Sequence, residues 1–257
     1  MMSWRYNNTI MSNTTKITKH LENVASSFTV DPMGARLEEL RFHNTLFLSS
    51  SVRGDGKVGS THPCSPIFGP ETNTSYGLPQ HGPVRNMLFT VMDEDDHSVT
   101  LSGDIVHGAY PKGITFTQKL SLTPDVFTIK TAHTNHSKEH IPVNFGEHYY
   151  WNTPKGWNGV KVNGKDVTEL VKTTGIVKLN IHNTVEIPGQ PLVHLEQKGL
   201  HYAVLWSYKN PSSGKFDTNY VCIEPVEGNP MDSYFGSKPS QIEPHTERLT
   251  MLRISPD

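Results

Sequence analysis

Three short segments carry the residues whose types and spacing could do proton chemistry. Residues 143–152, VNFGEHYYWN, alternate as a strand does, with Asn144, Gly146, His148, Tyr150 and Asn152 on one face and Phe145, Glu147, Tyr149 and Trp151 on the other. A histidine changes charge near neutral pH and can give or take a proton there, and Gly146 leaves space beside it. Residues 220–230, YVCIEPVEGNP, set Tyr220, Cys222 and Glu224 opposite the apolar Val221 and Ile223, and Pro225 is expected to end a central strand at that point. A carboxylate among apolar neighbours has its pKa raised by desolvation, which suits a general base. Residues 76–86, YGLPQHGPVRN, form a loop stiffened by glycine and proline that presents Gln80, His81 and Arg85. The arginine's fork of donors fits hydroxyl or phosphate oxygens. Taken singly, each segment also has a plain reading: a packed histidine, a surface glutamate at a loop entry, and a solvated turn.

The elements that must position these groups are strands. In residues 115–123, Phe116, Leu120 and Leu122 fall on one side with Gln118, and polar residues fall on the other. Thr123-Pro124-Asp125 then supplies a turn before a second β-rich run at 126–134, which predicts an antiparallel hairpin. Residues 201–209 put Tyr202, Val204, Trp206 and Tyr208 on one face, 220–224 and 248–254 read as further strands, and 160–167 reads as a hairpin turning at Asn163-Gly164. Helical periodicity is nearly absent after residue 30. The expectation is an all-β chain of two large antiparallel sheets packed face to face. Residues 1–30 are polar and rich in Asn, Thr and Ser, and are expected to form an extension with a short helix over 16–25, leaving 31–257 as a single domain.

Composition excludes several classes. The 257 residues carry 23 Lys+Arg against 25 Asp+Glu, with the basic residues scattered, so a nucleic-acid partner is not expected. No run approaches the roughly 20 apolar residues that span a bilayer, and the start lacks the apolar core of a signal peptide. A cytoplasmic protein without membrane contact is expected, as a monomer or weak dimer. Cys64 and Cys222 lack the spacing of a redox or zinc motif, and the 14 histidines show no HExxH-type pattern, so neither metal nor organic cofactor is expected.

In this chain order the three segments resemble the aldose 1-epimerase (galactose mutarotase-like) family. His81-Gly82 with Arg85 resembles its substrate-binding HG loop, in the HGxxR form of the hexose-6-phosphate epimerase-like branch. Residues 148–152, HYYWN, are similar to the family's H-x-Y-F-N segment, and residues 222–230, CIEPVEGNP, to its C-x-E-P-x-x-G-x-P segment. The resemblance implies a β-supersandwich that binds a sugar in a concave groove, an isomerase that exchanges the α and β anomers of an aldohexose or hexose 6-phosphate. It also implies His148 as the acid toward the ring oxygen and Glu224 as the base toward the C1 hydroxyl, facing each other across a sugar-sized gap. His81, Arg85, Gln80 and Tyr150 would then bind the sugar, Tyr150 by offering a ring surface. The chain departs from the pattern in two places. The family's substrate-binding aspartate has no equivalent around residues 179–183, and Glu71-Thr72-Asn73 follows Phe68-Gly69-Pro70 where phosphate-reading relatives carry another arginine.

Two rival readings share these residues. A non-catalytic carbohydrate-binding or regulatory protein would keep the groove without turnover. A glycoside hydrolase would need a second carboxylate facing Glu224, and Glu147 alternates away from the His148 face.

Overall fold

Period-two alternation carries the architecture. Every second residue of the strand Ile114–Leu122 is buried, and Phe127–Asn135 repeats the pattern, so each sends a single face inward. The two pair antiparallel along their whole length, from Ile114↔Asn135 to Leu122↔Phe127, which is the hairpin expected from the sequence. The computed structural model describes residues 15–21, 24–70, 76–229 and 240–257. Within it this hairpin belongs to a nine-stranded sheet ordered Lys165–Asp166, Lys161–Val162, His182–Glu186, Val193–Lys198, Glu247–Pro256, Phe127–Asn135, Ile114–Leu122, Ser98–Asp104, Thr90–Glu94.

A ten-stranded sheet faces it. Hydrogen-bonded neighbours run Ile17–Leu21, Ser26–Asp31, Arg36–Phe42, Thr45–Ser49, Tyr150–Asn152, Tyr220–Val226, Gly146–His148, His62–Cys64, and Tyr202–Trp206 joins Tyr220–Val226 to Ile176–Lys178. The core lies between the sheets, where Phe28 meets Phe127 at 5.1 Å between ring centroids and Phe116 meets Phe145 at 6.1 Å. Burying a side chain of this size stabilises by roughly 1.5–3 kcal/mol, so the inward faces decide the register of both sheets. The Asn163-Gly164 turn joins Lys161–Val162 to Lys165–Asp166 with both residues at positive φ, 53° and 73°, as a type I′ turn requires. Thr168–Thr173 is the one α-helix among the described residues, and no helix there is long and apolar enough to cross a membrane.

Two expectations are corrected. The predicted helix over 16–25 is instead the strand Ile17–Leu21, paired with Ser26–Asp31 in the large sheet. Phe28 and Val30 are fully buried there, and that burial outweighs the weak helical pattern of a polar stretch. Residues 1–14 of the expected extension lie outside the described residues. The second correction concerns Pro225, which does not end its strand: Tyr220–Val226 continues through it. On one side the strand pairs with Tyr150–Asn152 as far as Cys222 and then with Gly146 at Val226, so Ile223, Glu224 and Pro225 face a break in the ladder. A proline's missing N–H costs no ladder bond in such a gap.

Candidate active site

That break in the ladder builds the site. Gly146–His148 and Tyr150–Asn152 are separate short strands, and the Tyr149 between them turns into the core, fully buried. His148 and Tyr150 are left on the opposite face, beside Glu224 of the central strand. They lie on a cavity of about 380 Å³, a size suited to a small ligand. The cavity is also lined by His62, Gln80, His81, Arg85, Arg36, Arg53, Lys57 and Trp206. All six residues expected at the site therefore share one cavity.

His148 and Glu224 are closer than expected: His148 Nε2 lies 3.5 Å from Glu224 Oε1, side by side on the cavity wall and not across a sugar-sized gap. Both are buried. Burial pushes the Glu224 carboxyl well above the usual carboxylate range. Burial, followed by the nearby His62, His81, Arg85 and Arg53, holds the His148 imidazole well below its ordinary value. The short approach favours an ion pair, whereas burial favours the neutral form of each partner. Burial prevails here because the separation exceeds a hydrogen bond and no further donor compensates the charges. The pair thus retains a single transferable proton near neutral pH and titrates as a unit.

The loop carrying His81 is fixed by its backbone. His81 sits at φ 65° and Gly82 at φ 73°, and a Cβ on Gly82 would fall 2.0 Å from the Ser65 carbonyl oxygen, so only glycine fits. The His81 N–H donates to the Gly69 carbonyl at 2.7 Å, and the Gly69 N–H donates to His81 Nδ1 at 3.1 Å. The neutral ring therefore carries its proton on Nε2, next to Gln80. Burial, and then Arg85, brings His81 down to about 3, so Nε2–H is a fixed neutral donor. His62 shows the opposite tautomer: Nδ1 donates to the Ser60 carbonyl at 2.7 Å, which leaves Nε2 without a proton.

Two local expectations change. The space at Gly146 is not left for a ligand, because Phe68 fills it and a Cβ there would lie 2.5 Å from Phe68 Cδ2. Tyr150 lines the cavity, but its ring stacks on the His148 imidazole at 4.9 Å and 11°, so it supports the histidine and is not an open platform. Trp206, which meets His148 edge-on at 6.0 Å, supplies the apolar wall. Glu147 points into the core on the other side of the sheet, as alternation required, and Glu224 is the one acidic residue lining the cavity among the described residues.

Sequence reading found Arg85 but missed Arg36, Arg53, Lys57 and His62. Arg36 donates to Ser60 Oγ at 3.2 Å and to the Arg85 carbonyl at 2.8 Å. Arg53 pairs with Asp55 at 2.7 Å and lies over the Trp206 ring, 5.3 Å from its centroid. Arg53 and Lys57 come from the hairpin joining Ser51–Val52 to Val58–Gly59, and the RGDGK turn there was the one available signal. The fourth cation is Arg85. No arginine stands beside Phe68-Gly69-Pro70 in the sequence, and Arg36, Arg53 and Lys57 reach the same cavity from other elements.

His148, Cys222 and Glu224 bring one ligand atom each within 4.8 Å of one another, a spacing that could hold a metal ion. Burial pushes the Cys222 thiol well above its usual range, and four cationic side chains surround the same cavity. Both features oppose a bound cation, and the cationic lining favours an anionic ligand.

The family profile "Aldose 1-epimerase" matches residues 21–229 of the chain. No curated protein matches the sequence. Among solved structures, a galactose mutarotase related enzyme from Lactobacillus acidophilus superposes with a TM-score of 0.76 at 17% identity, covering 95% of this chain and 97% of that one. A galactose mutarotase-like protein from Lactobacillus casei gives 0.75 at 16% identity, covering 94% and 99%. A protein from Synechocystis sp. PCC 6803 gives 0.75 at 17% identity, covering 98% and 99%. At such identities the superpositions establish a shared galactose mutarotase-like sandwich fold.

Proposed function

The chain belongs to the aldose 1-epimerase family, and from that premise we propose that it interconverts the α and β anomers of a hexose 6-phosphate, with His148 as acid and Glu224 as base. The observation that carries this reading is the 3.5 Å approach of His148 Nε2 to Glu224 Oε1 on the wall of a cavity with four basic residues at its sides. In a hemiacetal the ring oxygen and the anomeric hydroxyl are attached to the same carbon. An acid and a base that are neighbours can therefore serve both.

The reaction moves two protons. The pair's one shared proton first passes from Glu224 to His148 across their 3.5 Å approach. His148 then gives it to O5 while the Glu224 carboxylate takes the proton of the C1 hydroxyl, and the C1–O5 bond breaks to leave an open-chain aldehyde. Rotation about C1–C2 presents the other carbonyl face. O5 then attacks C1, its proton returns to His148, and O1 recovers a proton from Glu224. Protons are conserved over the cycle, and positioned acid–base groups of this kind contribute on the order of 10² to 10⁴ each in rate. The Nε2–H of His81 is placed to donate to a sugar oxygen near the reacting carbon, and Trp206 offers an apolar wall to the ring.

A phosphate on C6 accounts for the charge. Among the described residues, Arg36, Arg53, Lys57 and Arg85 line the cavity against the single carboxyl of Glu224; Arg53 pairs with Asp55, and Asp31 and Glu38 act on Arg36. The exposed Lys57 and the half-buried Arg53 lie toward the mouth, whereas His148 and Glu224 are buried. A hexose entering with C1 inward would leave its C6 substituent among the cations.

Saturation-transfer NMR on glucose 6-phosphate and glucose tests the reading. Faster anomer exchange of the phosphorylated sugar, abolished by Glu224→Gln, supports it. Binding of either sugar without any acceleration of exchange would instead favour a carbohydrate-binding or regulatory protein.

A further inference from the structure

The His148 imidazole lacks the support that catalytic histidines ordinarily have. Its Nδ1 is buried, with no hydrogen-bond partner among the described residues. In most sites the nitrogen turned away from the substrate is held by a carboxylate or a carbonyl, which sets both ring orientation and tautomer. Rings flank His148 instead. Tyr150 lies near-parallel at 4.9 Å and 11°, and His62 lies near-parallel at 5.0 Å and 24°. His81 and Trp206 meet it edge-on at 5.2 and 6.0 Å.

Each flanking ring is itself anchored. His62 is the cross-strand partner of His148 in the pairing of His62–Cys64 with Gly146–His148, so the contact is built into the sheet register. The His62 bond from Nδ1 to the Ser60 carbonyl fixes that ring, and Arg36 reaches Ser60 Oγ behind it. Tyr150 packs on Gly59 so closely that a Cβ there would lie 2.3 Å from its Cε1. His62 is also locked neutral, because burial, then Arg85 and Arg36, holds it well below its ordinary value. It therefore presents an uncharged ring to His148.

We propose that His62 is a positioning residue: its neutral ring, stacked on His148, holds the catalytic imidazole in place of the missing hydrogen bond at Nδ1. The inference rests on His148 being the acid of the proposed reaction. Small displacements of a reacting group of about 1 Å cost on the order of 10²-fold in rate, so a ring free to tilt about its χ angles would lose turnover before it lost binding.

The test compares His62→Phe, which keeps a ring, with His62→Leu, which fills the volume without one. The expected result is that His62→Leu lowers kcat for glucose 6-phosphate by about ten- to a hundredfold with KM nearly unchanged, and that His62→Phe recovers most of the loss. A second readout does not require turnover. The ¹⁵N imidazole titration of His148 should move up toward its ordinary value in His62→Leu, where the unstacked ring tilts toward the open cavity, and stay low in His62→Phe. The other groups facing His148 are the same in both variants: Glu224 and Cys222 from the central strand, Tyr150 from its own segment, His81 and Arg85 from the loop and Arg53 from the hairpin. If His62→Leu does not fold, His62→Gln supplies the ringless arm.

Wild-type kcat and an unmoved His148 titration in a folded ringless variant would overturn the proposal. So would equal impairment of a folded His62→Phe, which would assign the effect to the His62 nitrogens. If the wild-type protein exchanges no anomers, the functional reading fails, and the titration still decides whether the stack holds His148.

Discussion

Gln118 Nε2 donates to Glu147 Oε1 at 2.7 Å, tying the middle of the nine-stranded sheet to the residue that precedes His148 in the other. Gln118 also reaches Thr131 Oγ1 at 3.2 Å, so the one polar residue on the inward face of its strand has partners in the core. Burial pushes Glu147 up to about 8, with the Gln118 hydrogen bond acting in the opposite direction.

Stability should depend on pH through Glu147. Its value in the folded chain lies above the ordinary 4.5, so as pH rises the unfolded chain loses this proton first. The site is therefore without penalty below about pH 4.5, destabilises progressively from there to about pH 8, and stays at that cost above. Glu147→Gln keeps an acceptor for Gln118 and removes the titration. It should gain on the order of 4–5 kcal/mol over wild type at pH 8, from about 1.4 kcal/mol per pKa unit, and close to nothing at pH 4.5. Urea denaturation at the two pH values measures this, and a pH-independent difference would exclude Glu147 as the source.

Glu224→Gln and His148→Asn should each reduce anomer exchange by about 10² to 10⁴ while leaving the fold intact. Glu224→Gln should melt no lower than wild type, because burial already disfavours the ionised carboxyl. Exchange rates with parallel thermal denaturation check both parts. Retained turnover in either folded variant is incompatible with the assigned roles.

Arg53→Met and Lys57→Met should raise KM for glucose 6-phosphate by roughly ten- to a hundredfold each, the range of a charge-assisted hydrogen bond, and leave glucose unaffected. Arg85→Ala, closer to His81 and His62 in its electrostatic reach, should weaken both sugars. Equal losses for the two sugars at Arg53 and Lys57 would remove the phosphate from the reading.

Inorganic phosphate should raise the His148 pKa. Burial is the first cause of its depression, but Arg85 and Arg53 add to it, and an anion among the cations offsets that part. An imidazole ¹⁵N titration with and without phosphate reads the shift. A downward shift, or none at saturating phosphate, contradicts the shared cavity electrostatics.

The sheets and the candidate acid–base pair were legible in the order of the residues alone. Alternation at Phe116, Leu120 and Leu122 and the Asn163-Gly164 turn are local signals, set by side-chain period and by backbone conformation, and both appear where they were read. His148 and Glu224 were legible because the segments around them, taken in order, resemble aldose 1-epimerase motifs; alternation alone put each on a polar face without assigning it a role. The remainder follows from long-range packing. Ser26–Asp31 reads as polar until Phe28 packs on Phe127 from the other sheet, and Pro225 reads as a stop until the ladder opens beside it. Arg36, Arg53, Lys57 and His62 come from elements far apart in the chain from Glu224, and apart from the RGDGK turn nothing in their own neighbourhoods marks them. Their meeting in one cavity is a product of strand order and register, which long-range packing sets and local propensity does not.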